Sequence, residues 1–182
     1  MYKIRPYVYS KTLLTLYYSL IYPHLIYGIE VWGSSNTSCI NRLMTLQNGA
    51  VRVIIFKDKR QTDFSLPASI PLFNKLKILK IYDIFKIYIS RFVFKCLNKL
   101  CMEQFHSWFI TTSCTHTYST RSSMQKNLYL PHVRTTFYGL KSIKFLGPKI
   151  WNALPAQVKM SESYVSFSSK LKEYILNTGL QL

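Results

Sequence analysis

Carboxylates are scarce in this sequence. Only 7 of its 182 residues are Asp or Glu, whereas 24 are Lys or Arg, so the formal net charge is +17. No two acids are nearer than five positions, and no Asp-Asp or Asp-x-Asp pair occurs. Metal-dependent polymerases, nucleases and hydrolases hold their cations with clustered carboxylates. The sequence therefore disfavours such catalysis by this chain, unless distant acids converge in the fold.

Glycine and proline are also few, with 6 and 7 residues, which excludes the collagen-like and linker classes. The sequence contains no phosphate-binding loop, no G-x-G-x-x-G motif and no G-x-S-x-G motif. In contrast, 48% of the residues are apolar and 15% are aromatic. Disordered basic tails lack such residues. We therefore predict a compact fold whose positive field suits a polyanionic partner.

An apolar run covers Leu13 to Trp32. Pro23, Gly28 and Glu30 interrupt it, and helix breakers and charges are costly in mid-bilayer. No small-residue cleavage site of a signal peptide follows the run. We predict two buried helical pieces separated by Pro23 and no membrane partner, with a membrane-associated basic protein as an alternative.

The cysteines form no regular framework, so we predict free thiols in a reducing intracellular compartment, cytoplasm or nucleus. They are Cys39, Cys96, Cys101 and Cys114. A zinc site is the alternative, and it would draw on Cys96, Cys101, His106, Cys114 and His116. Their spacings fit no common structural zinc site. No cofactor is therefore predicted for this chain.

Hydrophobic periodicity predicts that residues 1–100 form a mainly α, helical region. Predicted helices cover 11–22, 24–32, 39–55, 72–77 and 81–100. In the third helix the residues that share one face are Ile40, Leu43, Met44, Gln47, Val51, Ile54 and Ile55. In the last, the apolar stripe contains Ile81, Ile84, Phe85, Tyr88, Phe92 and Cys96.

Residues 101–182 are predicted to form a loop-rich basic region. No acid occurs from Gln104 to Ser161, where seven bases lie. Strands at 126–130 and 134–145 predict a small β element, and Gly147-Pro148 predicts a break before a short helical turn. A closing helix at 163–178 would place Phe167, Leu171, Tyr174 and Ile175 on one face.

Basic and aromatic residues alternate in several places, as in proteins that bind phosphates and stack on bases. The candidate nucleic-acid-binding residues are Arg91, Lys95, Lys99, His116, Tyr118, Arg121, Arg134 and Lys149. The first three follow at i, i+4 intervals and predict a basic ridge, for which an ordinary solvated face is the alternative. Tyr118 would alternatively pack inward, with Arg121 paired to a carbonyl or an acid.

Six blocks occur together in a specific order. They are LYYSLIYPHLIYGIEVWG (16–33), INRLMTLQNGAVRVI (40–54), LKILKIYDIFKIYISRFVFKCLN (76–98), HTYSTR (116–121), LGPKIWNALP (146–155) and SFSSKLKEYIL (166–176). This series resembles the thumb and post-thumb region of reverse transcriptases from non-LTR retrotransposons (LINEs) of the Jockey-like group. The resemblance covers nearly the whole chain.

The resemblance implies a thumb-like helical bundle that holds template and primer through backbone contacts, with Arg42 and Arg52 as further candidate contacts. The full-length proteins of this family copy RNA into DNA with an aspartate pair and Mg²⁺. No tyrosine-x-aspartate-aspartate motif occurs here, so no catalytic residue carries over. The family often has a basic residue near Asn48-Gly49, and this sequence does not.

The sequence thus predicts a noncatalytic C-terminal fragment of an RNA-directed DNA polymerase. Its expected partners are RNA, DNA or a hybrid, together with the rest of a reverse transcriptase. One alternative is a structural subdomain that docks on the missing palm. The other is a decayed, nonfunctional copy of a transposable element.

Overall fold

The computed structural model describes residues 1–55, 69–115, 124–135 and 137–178. The described chain is mainly helical, which confirms the predicted fold class at this level. The α-helices are α1 (Ser10–Leu16), α2 (Tyr22–Ile26), α3 (Ile29–Trp32), α4 (Thr37–Ile55), α5 (Ser69–Leu76), α6 (Ile81–Leu97), α7 (Thr112–Thr115), α8 (Ile143–Asn152), α9 (Ala156–Lys159) and α10 (Tyr164–Thr178). Within the described ranges, no helix has the length and apolar character needed to cross a bilayer.

The chain divides into two compact units, Met1–Ile84 and Phe85–Leu182. The boundary that composition predicts lies at residue 100 and stays a prediction. Each unit has its own buried residues and is described separately below.

Pro23 does not stop the first helix of unit 1, so the sequence-based prediction is wrong here. A π-helical segment, Tyr17–Ile21, joins α1 directly to α2. The N–H of Tyr22 bonds to the carbonyl of Tyr17, five residues back. The wider π turn changes the hydrogen-bond register just before Pro23, which has no N–H to donate. The break comes later, at Gly28, whose φ of 60° favours glycine.

The core of unit 1 forms where α1, the π segment, α4 and α5 contribute apolar residues. The buried cluster contains Leu13, Tyr17, Val51, Ile54, Leu72, Phe73 and Ile78. The helix predicted at 39–55 is confirmed as α4, and its predicted face contains the buried residues Ile40, Gln47, Val51 and Ile54. Periodicity therefore predicted the packing face of this helix correctly.

A buried hydrogen-bond network centres on Gln47, which is 1% exposed. Its Nε2 donates to the Tyr17 hydroxyl and to the Leu79 carbonyl, each at 2.9 Å. Its Oε1 accepts from the N–H of Ile81 at 3.0 Å. The side chain thus caps the first residue of α6 and satisfies two further buried groups.

α6 ends at Leu97, before the predicted end at residue 100. The N–H of Leu100 bonds to the Lys95 carbonyl at 2.8 Å, and the N–H of Lys99 bonds to the Cys96 carbonyl at 3.2 Å. Lys99 has a φ of 55°. These are the bonds of a Schellman motif, with lysine at the position that usually holds glycine.

Aromatic stacking organises the core of unit 2. The ring of Phe167, in α10, stacks on Phe94 of α6 with centroids 4.4 Å apart. The same Phe167 ring also stacks on Trp151 of α8, with centroids 5.7 Å apart. The predicted closing helix is confirmed, since Phe167, Leu171 and Ile175 are all buried on it.

The strand predicted at 134–145 is wrong. Residues 137–142 form a turn, and α8 begins at Ile143. Of the strand predicted at 126–130, only an isolated antiparallel bridge between Leu128 and Thr111 forms. The described ranges contain no longer β ladder.

The break predicted at Gly147-Pro148 is also wrong, because α8 runs through both residues. A Cβ at position 147 would lie 2.7 Å from Phe109 Cε1 and 3.0 Å from Val93 Cγ2. Glycine is therefore needed here for close packing and not for a turn. Pro148 and Ile150 are both buried in this helix. The apolar area that they bury offsets the free-energy cost of the backbone hydrogen bond that proline removes.

Candidate nucleic-acid interface

Unit 2 carries most of the excess positive charge. Residues 85–182 contain 13 basic and 3 acidic side chains, a net charge of +10. The three acids are Glu103, Glu162 and Glu173. The long stretch between the first two has no carboxylate, so its cations lack acidic neighbours in sequence. Such a field attracts polyanions.

A tight turn presents aromatic side chains within this stretch. The Thr135 carbonyl accepts from the N–H groups of Gly139 and Leu140 at 3.1 and 3.2 Å. A Cβ at Gly139 would lie 2.6 Å from that carbonyl oxygen, so the turn requires glycine. Tyr138 is 81% exposed and Phe137 is 55% exposed. Both rings are therefore available to a partner.

Two lysines that follow the turn lie over aromatic rings. Lys141 Nζ lies 4.7 Å from the ring centroid of Phe137, and Lys144 Nζ lies 4.8 Å from that of Trp108. Both are cation–π geometries. The Ser142 hydroxyl caps α8 by accepting from the Lys144 N–H. We define the aromatic–basic patch as Arg134, Phe137, Tyr138, Lys141 and Lys144.

Two predicted site residues lie in or near this patch. Arg134 is exposed within it. Lys149 is exposed on α8, but it lies five residues after Lys144. Five residues of α-helix rotate a side chain by about 140°, so Lys149 belongs to another side of the helix. The sequence-based prediction missed Tyr138 and Lys141, because it assigned this segment to a strand.

The predicted basic ridge on α6 is not continuous, which corrects that prediction. Arg91 is half-buried, with its guanidinium 5.5 Å from the Tyr88 ring centroid. Lys95 is half-buried with its Nζ 5.0 Å from the Tyr164 ring centroid. Lys99 lies beyond the helix in left-handed conformation. Arg91 and Lys95 thus each lie over an aromatic ring, as Lys141 and Lys144 do, and their side chains are partly covered.

The two candidate contacts in unit 1 differ in environment. Arg42 is exposed on α4. Arg52 is half-buried, and within the described residues its buried Nε has no hydrogen-bond partner. Arg42 is accordingly the freer of the two for a phosphate contact.

Unit 1 also has a feature that sequence reasoning missed. Its first residues expose Tyr2, Tyr7 and Tyr9, each at 75% or more. Lys3 and Lys11 alternate with them and are exposed as well. The alternation of aromatic and basic residues within eleven positions is visible in the sequence and is the signal that was overlooked. It is the pattern of a stacking surface for single strands.

Three predicted contacts, His116, Tyr118 and Arg121, lie outside the described residues. The described members of the zinc alternative do not assemble as ligands. Cys101 Sγ lies 3.4 Å from Cys96 Sγ, and His106 Nε2 lies 2.9 Å from the Cys101 carbonyl. Burial raises the pKa of the Cys96 thiol to about 12, as expected for a thiol within a core. Over the described ranges, no group of three or more potential metal ligands exists.

Comparison of the chain with protein-family models, with curated proteins and with solved structures gave no match.

Proposed function

We propose that this chain is a noncatalytic nucleic-acid-binding segment of a reverse transcriptase of the non-LTR retrotransposon type. In this role it holds the template–primer duplex through backbone contacts. Unit 1, with its helices around α4, would serve as the thumb-like element. The Mg²⁺ ions and the aspartate pair of the family would belong to the palm of the whole protein.

One observation carries the proposal: the aromatic–basic patch lies in a stretch without a single acid. Its cations can neutralise phosphates, and its exposed rings can stack on unpaired bases. Such stacking contributes about 1–3 kcal/mol per base. The exposed Tyr138 and the cation pair Lys141 and Lys144 supply both kinds of contact within eight residues.

Binding of labelled strands to the purified chain tests the proposal. We expect Tyr138→Ala to weaken binding of single-stranded RNA by about fivefold to a hundredfold, because one stacked base is lost. Tyr138→Phe keeps the ring and should bind like the wild type. The control is Tyr82→Ala, which removes a tyrosine of α6 in unit 1 that lies 56 positions before Tyr138 in the sequence. This variant should bind RNA like the wild type. Equal loss in Tyr138→Ala and Tyr82→Ala would contradict a stacking role for the patch.

A docking subdomain is a second candidate, because unit 1 exposes large apolar side chains. Tyr27 and Val31 are each 84% exposed, and Leu46 is 70% exposed. Where such exposed apolar side chains form one patch, they mark an interaction surface. Light scattering tests this role: we expect concentration-dependent association that Val31→Lys and Leu46→Lys reduce. A strictly monomeric wild-type chain at high concentration would contradict it.

A further inference from the structure

Lys159, one of the seven bases of the acid-free stretch, is a buried cation. The side chain is 3% exposed. Its Nζ donates to Asn127 Oδ1 at 2.7 Å and to the Asn152 carbonyl at 3.1 Å. Both acceptors are neutral. Desolvation lowers the pKa of Lys159 to about 8, so the ammonium form still predominates at neutral pH without an anion in these two bonds.

A cavity of about 310 Å³ adjoins this cation. Its polar lining consists of Asn98, Thr111, Ser113, Lys126, Lys159 and Ser161. Trp151 contributes an apolar wall. Among the described residues, the lining contains two cationic residues, three hydroxyls and one amide, and it includes no Asp or Glu.

This set of residues matches an anion with several acceptor oxygens. Ammonium groups form charge-assisted bonds to phosphate oxygens, and hydroxyl hydrogens rotate to suit an acceptor. The Thr111 and Ser113 hydroxyls hydrogen-bond each other at 3.0 Å, so the pair can offer one remaining hydrogen to a ligand. A buried charge that has only neutral partners is costly, and a bound anion would offset that cost.

We propose that this cavity in unit 2 binds a phosphate group, with Lys126 and Lys159 as its cationic contacts and the hydroxyl pair of Thr111 and Ser113 as the neutral one. The Ser161 hydroxyl lines the cavity but donates its hydrogen to the Val158 carbonyl. The ligand is either free inorganic phosphate or the terminal phosphate of a strand, since both present the same oxygens. The cavity shares no described residue with the aromatic–basic patch, so substitutions in one leave the residues of the other unchanged.

Calorimetric titration of the purified chain with sodium phosphate, at constant ionic strength in a phosphate-free buffer, tests the proposal. We expect saturable binding, which Lys126→Gln weakens about tenfold, as expected for the loss of one charge-assisted contact. Lys159→Met should abolish it. Lys172→Gln removes an equal charge from an exposed site of the same unit and should bind like the wild type.

Because Lys159→Met also removes the bonds to Asn127 and Asn152, a loss of folding in that variant is foreseeable. Ser113→Ala then carries the test beside Lys126→Gln, since it removes a single hydroxyl that lines the cavity. A second readout is the pKa of Lys159, measured from its NMR signal as a function of pH. Added phosphate should raise this pKa, because the bound anion stabilises the ammonium form. Absence of saturable binding up to about 10 mM phosphate, or equal affinities for Lys126→Gln and Lys172→Gln, would overturn the proposal.

Oligonucleotides with a 5′-phosphate or a 5′-hydroxyl distinguish the two sources. A preference for the 5′-phosphate that Lys126→Gln removes identifies a strand end as the ligand. Saturable binding of inorganic phosphate without any such preference identifies the free ion. Either result supports the cavity as a phosphate site, even if the patch variants show that the chain binds no nucleic acid at the surface.

Discussion

Trp151 Nε1 donates a hydrogen bond to the main-chain carbonyl of Lys126 at 2.9 Å. The next residue, Asn152, exchanges two bonds with the backbone of Leu128, at 2.8 and 2.9 Å. Together they fix an irregular segment that has no strand partner beyond one bridge. Residues 151 and 152 of the block 146–155 therefore have a structural role, which is to hold residues 126–128 against the core of unit 2.

Gly147 tests the packing within this block. Gly147→Ala should lower the free energy of unfolding by about 1–3 kcal/mol, because the new methyl group would overlap the Phe109 ring and Val93. Chemical denaturation followed by circular dichroism measures the change.

Gly49 provides the matched control. A Cβ there meets nothing within 4 Å, and the residue is exposed in the middle of α4. Gly49→Ala should therefore raise the free energy of unfolding by up to about 1 kcal/mol through helix propensity. If both glycine variants shift stability in the same direction, the close approach at position 147 is not a packing constraint.

The Gln47 network predicts a large loss of stability. Gln47→Leu leaves the buried N–H of Ile81 and the buried carbonyl of Leu79 without their side-chain partner, at about 1–3 kcal/mol for each unsatisfied group. We expect a total loss of about 3 kcal/mol or more in thermal or urea unfolding.

Tyr17→Phe is the control for that network, because it removes a single bond and keeps the ring. It should cost about 1 kcal/mol. Burial raises the pKa of Tyr17 to about 12, which shows how strongly this hydroxyl favours its neutral form. A Gln47→Leu variant that is no less stable than Tyr17→Phe would refute the central position of Gln47.

Substitutions of Lys99 distinguish the effect of its backbone conformation on stability from the effect of its charge on nucleic-acid binding. Lys99→Gly should stabilise the chain by about 1 kcal/mol, because glycine adopts the left-handed conformation of the Schellman motif without strain. Nucleic-acid affinity should change little, since this residue lies outside both α6 and the aromatic–basic patch. Lys99→Ala keeps the strain and removes the charge, so a loss of affinity in both variants would restore Lys99 as a contact.

Lys159 predicts a pH dependence of stability. Its pKa is about 8 in the folded chain, whereas the ordinary pKa of a lysine side chain, which applies in the unfolded chain, is 10.5. Between these values the unfolded chain binds more protons, so the free energy of unfolding rises with pH through this window. Below pH 8 the full penalty for the buried charge applies. This penalty lowers the free energy of unfolding by about 2–3 kcal/mol.

Lys159→Met isolates this contribution. The Cys96 thiol acts in the opposite direction above its usual pKa, because burial keeps it protonated in the folded chain. The wild-type curve therefore contains both effects, and the difference between wild type and Lys159→Met is the quantity to measure by urea unfolding from pH 7 to 10. A pH-independent difference would exclude a lowered pKa for Lys159.

Hydrophobic periodicity was sufficient to predict a helix wherever that helix packs through one apolar face. The periodicity of α4 and α10 predicted both their existence and their buried residues, including Val51 and Phe167. Pattern failed where distant residues decide the structure. Gly147 appeared to be a helix breaker because its contact with Phe109 lies 38 positions away.

The sequence predicted which types of residue form the candidate site, but it did not predict how they are arranged. The acid-free stretch includes Arg134, a predicted contact that is exposed in the structure; its role as a contact stays a prediction. The burial of Lys159 depends on Asn127, 32 residues away, which no local pattern reveals. Tyr138 was missed because a turn held by Gly139 was interpreted as a strand.

Salt-dependent binding of an RNA–DNA hybrid tests the central claim most directly. For the wild type we predict a steep fall of affinity with salt, with a slope of about −0.9 per phosphate contact. Combined Arg134→Gln, Lys141→Gln and Lys144→Gln substitutions should reduce the slope by about 2–3. Lys75→Gln, Lys170→Gln and Lys172→Gln remove the same charge from exposed sites elsewhere and should leave the slope unchanged. Equal slopes in the two triple variants, or salt-independent binding by the wild type, would contradict a nucleic-acid interface at the aromatic–basic patch.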